Sequence, residues 1–225
     1  MESAEAIQQV IGSEGFQSLS PQLKVALFLG GMALISSALV TMTAFTRIVI
    51  VLSFVRRALS TQEIPPTQVV LGLSLFLTLF VMGPTLGTIE TTSVMPYMRA
   101  EIKGDEAWNR GSAALKTFML HQTRRADIAM FARMADITRI ETALDTPMRV
   151  LIPAYVISEL KTAFIMGFCL YIPFILIDLV VSVILMSLGM MMMPPMVIST
   201  PFKILLFVVV DGWQLIARVL SLSFH

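Results

Sequence analysis

Charge is what this chain has least of. Asp, Glu, Lys and Arg make up 14% of its 225 residues, against about a quarter in an ordinary soluble domain. Hydrophobic residues make up 56% and the mean hydropathy is +0.82. A single water-soluble core of this length cannot enclose that much apolar surface, so lipid or a large hydrophobic assembly must cover the surplus. Cysteine is nearly absent: Cys169 is the only one, which excludes an intrachain disulfide and a thiolate metal cage. The two histidines, His121 and His225, stand far apart, no HExxH or P-loop spacing occurs, and Asn109 opens no glycosylation triplet. The chain is therefore not expected to be an enzyme or to carry a metal or cofactor. Sixteen basic residues against fifteen acidic ones give a formal charge of +1 with no long basic run, so nucleic acid is excluded as a partner. Glu2, Glu5 and Glu14 precede the first basic residue, Lys24, the reverse of a secretory leader, and no signal peptide is expected. Solenoid repeats and low-complexity linkers are missing as well.

The few charges are unevenly placed. Residues 90–149 hold 17 of the 31, nine basic and eight acidic. This divides the chain into a polar N-terminal segment (1–24), a hydrophobic region (25–89), a polar insert (90–149) and a second hydrophobic region (150–225). Residues 25–46 and 64–89 are uncharged runs of 22 and 26 residues, each long enough for a hydrocarbon core that needs about 20 apolar residues. Arg56, Arg57 and a polar turn lie between them, so the first region reads as a helical hairpin. Pro65 and Pro66 fit the first turn of its second helix. Gly83 and Gly87 have GxxxG spacing, but the intervening Pro84 predicts a helix end.

Thr146 before Pro147 predicts an N-cap and first helical residue. A helix from there to residue 188 would be about 60 Å long, twice a bilayer core, so Pro153, Gly167 or Pro173 should bend or break it, or part of it lies outside lipid. A last segment spans 201–224, giving a second hairpin. The loop with Arg56 and Arg57 is the most basic short connection, which places it in the cytoplasm and the insert and both termini outside. Within the insert Leu115, Phe118, Met119 and Gln122 follow helical spacing, and two helices are expected. The predicted fold is an all-α membrane protein: two hydrophobic helical hairpins with a helical polar insert.

Two groups of residues stand out. From 186 to 196, six of eleven residues are methionine, with Met190, Met191, Met192 and Met193 uninterrupted between Gly189 and Pro194-Pro195. Soft, unbranched side chains of this kind either form a ring that closes around cargo of varying shape or fill gaps at a helix end. Irregular backbone at membrane depth needs burial in protein or a water-lined path. The second group is the buried charge of the C-terminal half: Asp178, Lys203, Asp211 and Arg218. On one helix Asp211 and Arg218 share a face two turns apart and Lys203 lies about 80° round from Asp211, too distant for direct pairing. Interhelical or intersubunit ion pairs are one reading of these charges, and a proton or ion relay through Asp178 and Asp211 the other.

Residues 45–62, FTRIVIVLSFVRRALSTQ, with Pro65-Pro66 and the run through Met82, resemble the first half of the FliP family of flagellar export-gate proteins. Residues 171–195, YIPFILIDLVVSVILMSLGMMMMPP, and 201–213, PFKILLFVVVDGW, resemble that family's C-terminal signatures. The gate subunit SctR of virulence type III secretion shares the pattern, but Arg56-Arg57 and Thr61-Gln62 look more like the flagellar branch. The resemblance implies a homo-oligomeric ring, expected to be a pentamer, that joins FliQ and FliR in a helical pore complex of the bacterial inner membrane and flagellar basal body. Unfolded flagellar subunits would leave the cytoplasm through it, with FlhA, FlhB and the export ATPase supplying selection and energy. It also implies a methionine gasket at Met190, Met191 and Met192, continued by Met193, and subunits raised toward the periplasm. The competing reading is a small ion-coupled membrane transporter that binds its ion at Asp178 and Asp211.

Overall fold

The computed structural model describes residues 20–60, 64–137, 142–190 and 193–224. Most of the polar N-terminal segment, residues 138–141 of the insert, and Met191 and Met192 lie outside the described residues. Among the described residues all regular structure is helical. The helices are α1 (Pro21–Thr41), α2 (Phe45–Ala58), α3 (Thr67–Ile89), α4 (Met95–Met98), α5 (Gly104–Gln122), α6 (Arg125–Met134), α7 (Met148–Ser187), α8 (Pro195–Val209) and α9 (Gly212–Leu222).

The centre of the fold is α2, although it has only 14 residues. Ile48, Val51, Leu52 and Val55 repeat at the i, i+3, i+4, i+7 spacing of a single helix face, and all four are buried. They form one cluster with Val70, Val81 and Met82 of α3, Ala163 of α7 and Ile216 of α9. The most extensive helix contact among the described residues is between α2 and α7. A Cβ on Gly167 would lie 2.6 Å from the Phe54 ring, so glycine lets these two helices approach. The insert packs on the same long helix, where Leu115, Phe118 and Met119 of α5 meet Leu151 and Tyr155 of α7.

Several boundaries differ from the sequence expectation, each for a physical reason. The first hydrophobic run is two helices: the chain breaks at residues 42–44, where the Tyr155 hydroxyl donates to the Thr43 carbonyl at 2.8 Å and satisfies an acceptor that helix would otherwise use. Pro65 and Pro66 precede α3 instead of forming its first turn, with Pro66 at the N-cap position. Pro84 does not end the helix. It removes one N–H, but α3 continues to Ile89 and passes through a π-helical turn (Glu90–Val94) into α4. In apolar surroundings, giving up one backbone bond costs less than freeing a whole turn. The apolar helical stretch therefore runs from Thr67 to Met98, past the compositional boundary at residue 89.

Helix α7 is likewise continuous over 40 residues with Pro153 and Pro173 inside it, so the expected break does not occur. Its N-cap is Pro147, while Thr146 sits fully buried one residue earlier. The final segment starts at Pro195 rather than Pro201 and is two helices, α8 and α9, bent by 63°. Among the described residues two stretches, Thr67–Met98 and Met148–Ser187, are long and apolar enough to cross a membrane, and the bent pair makes a third candidate.

Candidate functional site

The methionine-rich segment begins where α7 stops. Gly189 takes a φ of +76°, its N–H bonds the Met186 carbonyl at 3.1 Å, and the N–H of Met190 bonds the Leu185 carbonyl at 3.0 Å. This paired closure needs a left-handed residue after the helix, which glycine adopts without steric cost. Helix α8 restarts at Pro195, with Pro194 as its N-cap. Of the four methionines, Met190 and Met193 are exposed, and Met191 and Met192 are outside the described residues.

Above this turn α7 and α8 lie side by side, and Asp178 ties them together. Lys203 Nζ lies 2.6 Å from Asp178 Oδ2 and donates at 2.6 Å to the Ser60 hydroxyl, while Ser199 Oγ donates to Asp178 Oδ1 at 2.6 Å. Lys203 is buried and the Asp178 side chain is about a third exposed. The cluster joins three segments: the end of α2 through Ser60, α7 and α8. Beyond it the two helices carry only uncharged residues toward the turn. An open groove of about 540 Å³ runs between them, lined by Val180, Ile184, Leu185, Ile198 and Phe202 among others, all apolar.

Asp211 and Arg218 are not part of this cluster. The expectation placed Lys203 and Asp211 on one helix, but the chain turns between them. Asp211 has a φ of +50° and its N–H bonds the Val208 carbonyl, and a Cβ on the following Gly212 would run into the Phe207 ring. The 80° relation between Lys203 and Asp211 therefore does not hold. No contact joins Asp178 to Asp211, and among the described residues no three His, Cys, Asp or Glu side chains are placed to hold a metal ion.

A sequence model described as the FliP family matches residues 28–220. The chain is 50% identical to the flagellar biosynthetic protein FliP of Pectobacterium carotovorum subsp. carotovorum over 94% of its own length and 82% of that protein. It is 48% identical to FliP of Bacillus subtilis (strain 168) over 96% and 97%, and 45% identical to FliP of Aquifex aeolicus (strain VF5) over 94% and 89%. The chain belongs to the FliP family. It is thus a component of the flagellar export apparatus.

The strongest polar cluster of this FliP-family chain is one that sequence reasoning passed over. Arg47 and Glu159 are almost completely buried and form a two-pronged ion pair: Arg47 Nε reaches Glu159 Oε2 at 2.8 Å and Nη2 reaches Oε1. Nη1 donates to the carbonyl and the hydroxyl of Ser223 at 2.8 and 3.0 Å, and Nη2 also donates to Gln122 Oε1 at 3.1 Å. These contacts use every donor direction of the guanidinium, whose carbon lies 3.8 Å from the centre of the Phe224 ring. Gln122 Nε2 closes the circuit by donating to the Phe224 carbonyl at 3.0 Å. One cation thus joins α2, the end of α5, α7 and the end of α9, where it also opposes the negative end of the α9 dipole. The insert is fastened beside it, with the Arg124 N–H donating to Ser158 Oγ at 3.1 Å and Ser158 Oγ donating to the Gln122 carbonyl at 3.3 Å. The available signal was Arg47 in an otherwise uncharged stretch over 25–55, and Glu159, one of three acidic residues in 150–225.

Proposed function

We propose that several copies of this chain bring their methionine-rich turns together around one axis, forming the pore of the flagellar export gate in the bacterial inner membrane. The observation that carries the reading is the bare apolar tip. Beyond Asp178 and Lys203, Leu179, Val183, Met186, Met190, Met193 and Val197 are all exposed, on a chain whose family belongs to protein export. A contiguous apolar surface of this kind marks an interaction site. In this reading Met190, Met191, Met192 and Met193 form a compliant seal around unfolded flagellar subunits. Asp178 and Lys203 brace the paired helices behind the seal, residues 25–89 and 150–225 act as the two hydrophobic hairpin units, and the polar insert at 90–149 faces the periplasm. FliQ and FliR complete the gate, with FlhA and FlhB on its cytoplasmic side, in a ring of five copies.

The test is deletion of the gene in its source organism and restoration from a plasmid, with hook and filament subunits outside the cell and growth both measured. Loss of export at normal growth, rescued by the plasmid, is the expected result. Release of subunits at the parental level after deletion overturns the reading.

A further inference from the structure

Past its first turn, α7 has one exposed charge, Lys161. It makes no hydrogen bond or ion pair among the described residues. Phe164, Ile165 and Phe168 follow it at the spacing of a single helix face, and each is half or more exposed. Between Thr162 and Ser187 the helix holds one other charge, Asp178, which is tied to Lys203 and Ser199. At about 1.5 Å per residue that length is about 39 Å, enough for a hydrocarbon core of about 30 Å. The base of the polar insert sits at the height of Lys161. The Arg124 N–H donates to Ser158 Oγ, one turn before Lys161, and Arg124 Nη2 donates to Thr162 Oγ1 at 3.4 Å. Arg125 comes next and is exposed, and neither arginine has an ion pair among the described residues. Glu159 is committed to Arg47, and Asp127, the acidic residue of the same turn, buries its Oδ2 atom. Lys161, Arg124 and Arg125 against Asp127 leave a belt with two positive charges in excess, directly above bare apolar helix.

We propose that this belt lies among the lipid headgroups and binds the phosphate of an anionic phospholipid. Lys161 is the principal contact, and the acyl chains lie along Phe164, Ile165 and Phe168. Three observations name lipid as the occupant. The apolar face below Lys161 belongs to a stretch long and apolar enough to cross a membrane. The polar insert and the exposed lysine end together at the height where the surface of that stretch loses its charge, the place basic residues take at a membrane border. A lysine stem rests on apolar surface while its ammonium reaches the phosphate layer, and the excess positive charge selects an anionic headgroup over a zwitterionic one. The inference requires α7 to cross the membrane and does not depend on the pore reading, so either can fail alone.

The test uses the full-length chain in phosphatidylcholine vesicles, with a bimane fluorophore on Cys169, which is exposed and the only cysteine. That position is about 12 Å below Lys161 along the helix, within one leaflet's hydrocarbon of about 15 Å. Part of the phosphatidylcholine is replaced by phosphatidylglycerol or phosphatidylcholine with brominated chains, and quenching reports which lipid occupies the contact. Phosphatidylglycerol should be preferred by about tenfold. Lys161→Gln should reduce the preference to about twofold, a loss of about fivefold, equivalent to about 1 kcal/mol. Lys161→Arg should stay within about twofold of the parent, because charge and reach are retained. Free glycerol phosphate at millimolar concentration should displace nothing. Equal quenching by the two lipids, or a Lys161→Gln chain that keeps the full preference, overturns the headgroup site. Quenching by neither lipid would mean that protein covers this face, and displacement by glycerol phosphate would assign the belt to a soluble phosphate; each overturns it as well. The pore reading stands under all of these outcomes.

Discussion

Arg47 and Glu159 stand 112 positions apart in the chain and meet, both buried, through two nitrogen–oxygen contacts. Each supplies the countercharge that makes the other's burial tolerable. The remaining guanidinium donors are spent on Gln122 and Ser223. Losing either charge therefore affects α2, the insert, α7 and α9 together.

Glu159→Gln and Arg47→Met should each destabilise the chain by about 3–5 kcal/mol, the cost of a buried charge left without its partner. The double variant Arg47→Met with Glu159→Leu should cost less than the two single changes added together. Thermal unfolding of the purified full-length chain in one detergent checks both statements, and additive losses would contradict the coupling.

The Asp178–Lys203 pair should respond asymmetrically. Lys203 is 1% exposed and the Asp178 side chain 34% exposed. Asp178→Asn strands an ammonium away from water, whereas Lys203→Gln strands a carboxylate that solvent still reaches. The first change should cost about 3–5 kcal/mol and the second about 1–3 kcal/mol. Melting temperatures of the two variants in the same detergent give the order, and the reverse order would be inconsistent with this burial.

Gly167→Ala should loosen the contact between α2 and α7. The added methyl would lie 2.6 Å from the Phe54 ring, an overpacking that costs about 1–3 kcal/mol. Adding Phe54→Leu to Gly167→Ala should recover part of that loss in the same unfolding measurement. No recovery would mean that the ring is not the obstacle.

Replacing Met190, Met191 and Met192 together by alanine should leave gate assembly intact and let small solutes leak across the membrane, since the seal loses its bulk. Dye or ion flux in cells with normal amounts of assembled gate measures this. An unchanged leak would rule these side chains out as the barrier.

Much of the architecture was legible in the sequence because hydropathy reports it directly. The excess of apolar residues, the concentration of charge between 90 and 149 and the helical character throughout need no tertiary information. The breaks were harder. Pro84 reads as a stop by local rules, but α3 continues because the surroundings make freed backbone groups expensive. The interruption at residues 42–44 depends on the Tyr155 hydroxyl, more than a hundred positions away, and the turn at Asp211 depends on how the Phe207 ring fills the space beside Gly212. The Arg47 cluster was hidden for the same reason: its partners lie 75 to 176 positions away from Arg47, and no local pattern connects them. Sequence also placed Lys203, Asp211 and Arg218 on one helix, because it contains no sign of the 63° bend between α8 and α9.

The length of α7 has a consequence in time. At its N-terminal end Val150, Leu151, Ala154, Tyr155 and Glu159 are enclosed by the chain itself, while at its C-terminal end Leu179, Val183 and Ile184 are bare. In the proposed gate, a newly made copy would finish one end of this helix alone and the other only against its neighbours. That would impose an order on biogenesis, individual folding first and assembly second. A subunit left outside such a gate would keep the uncovered end as a ready handle for the proteases that clear orphaned membrane proteins.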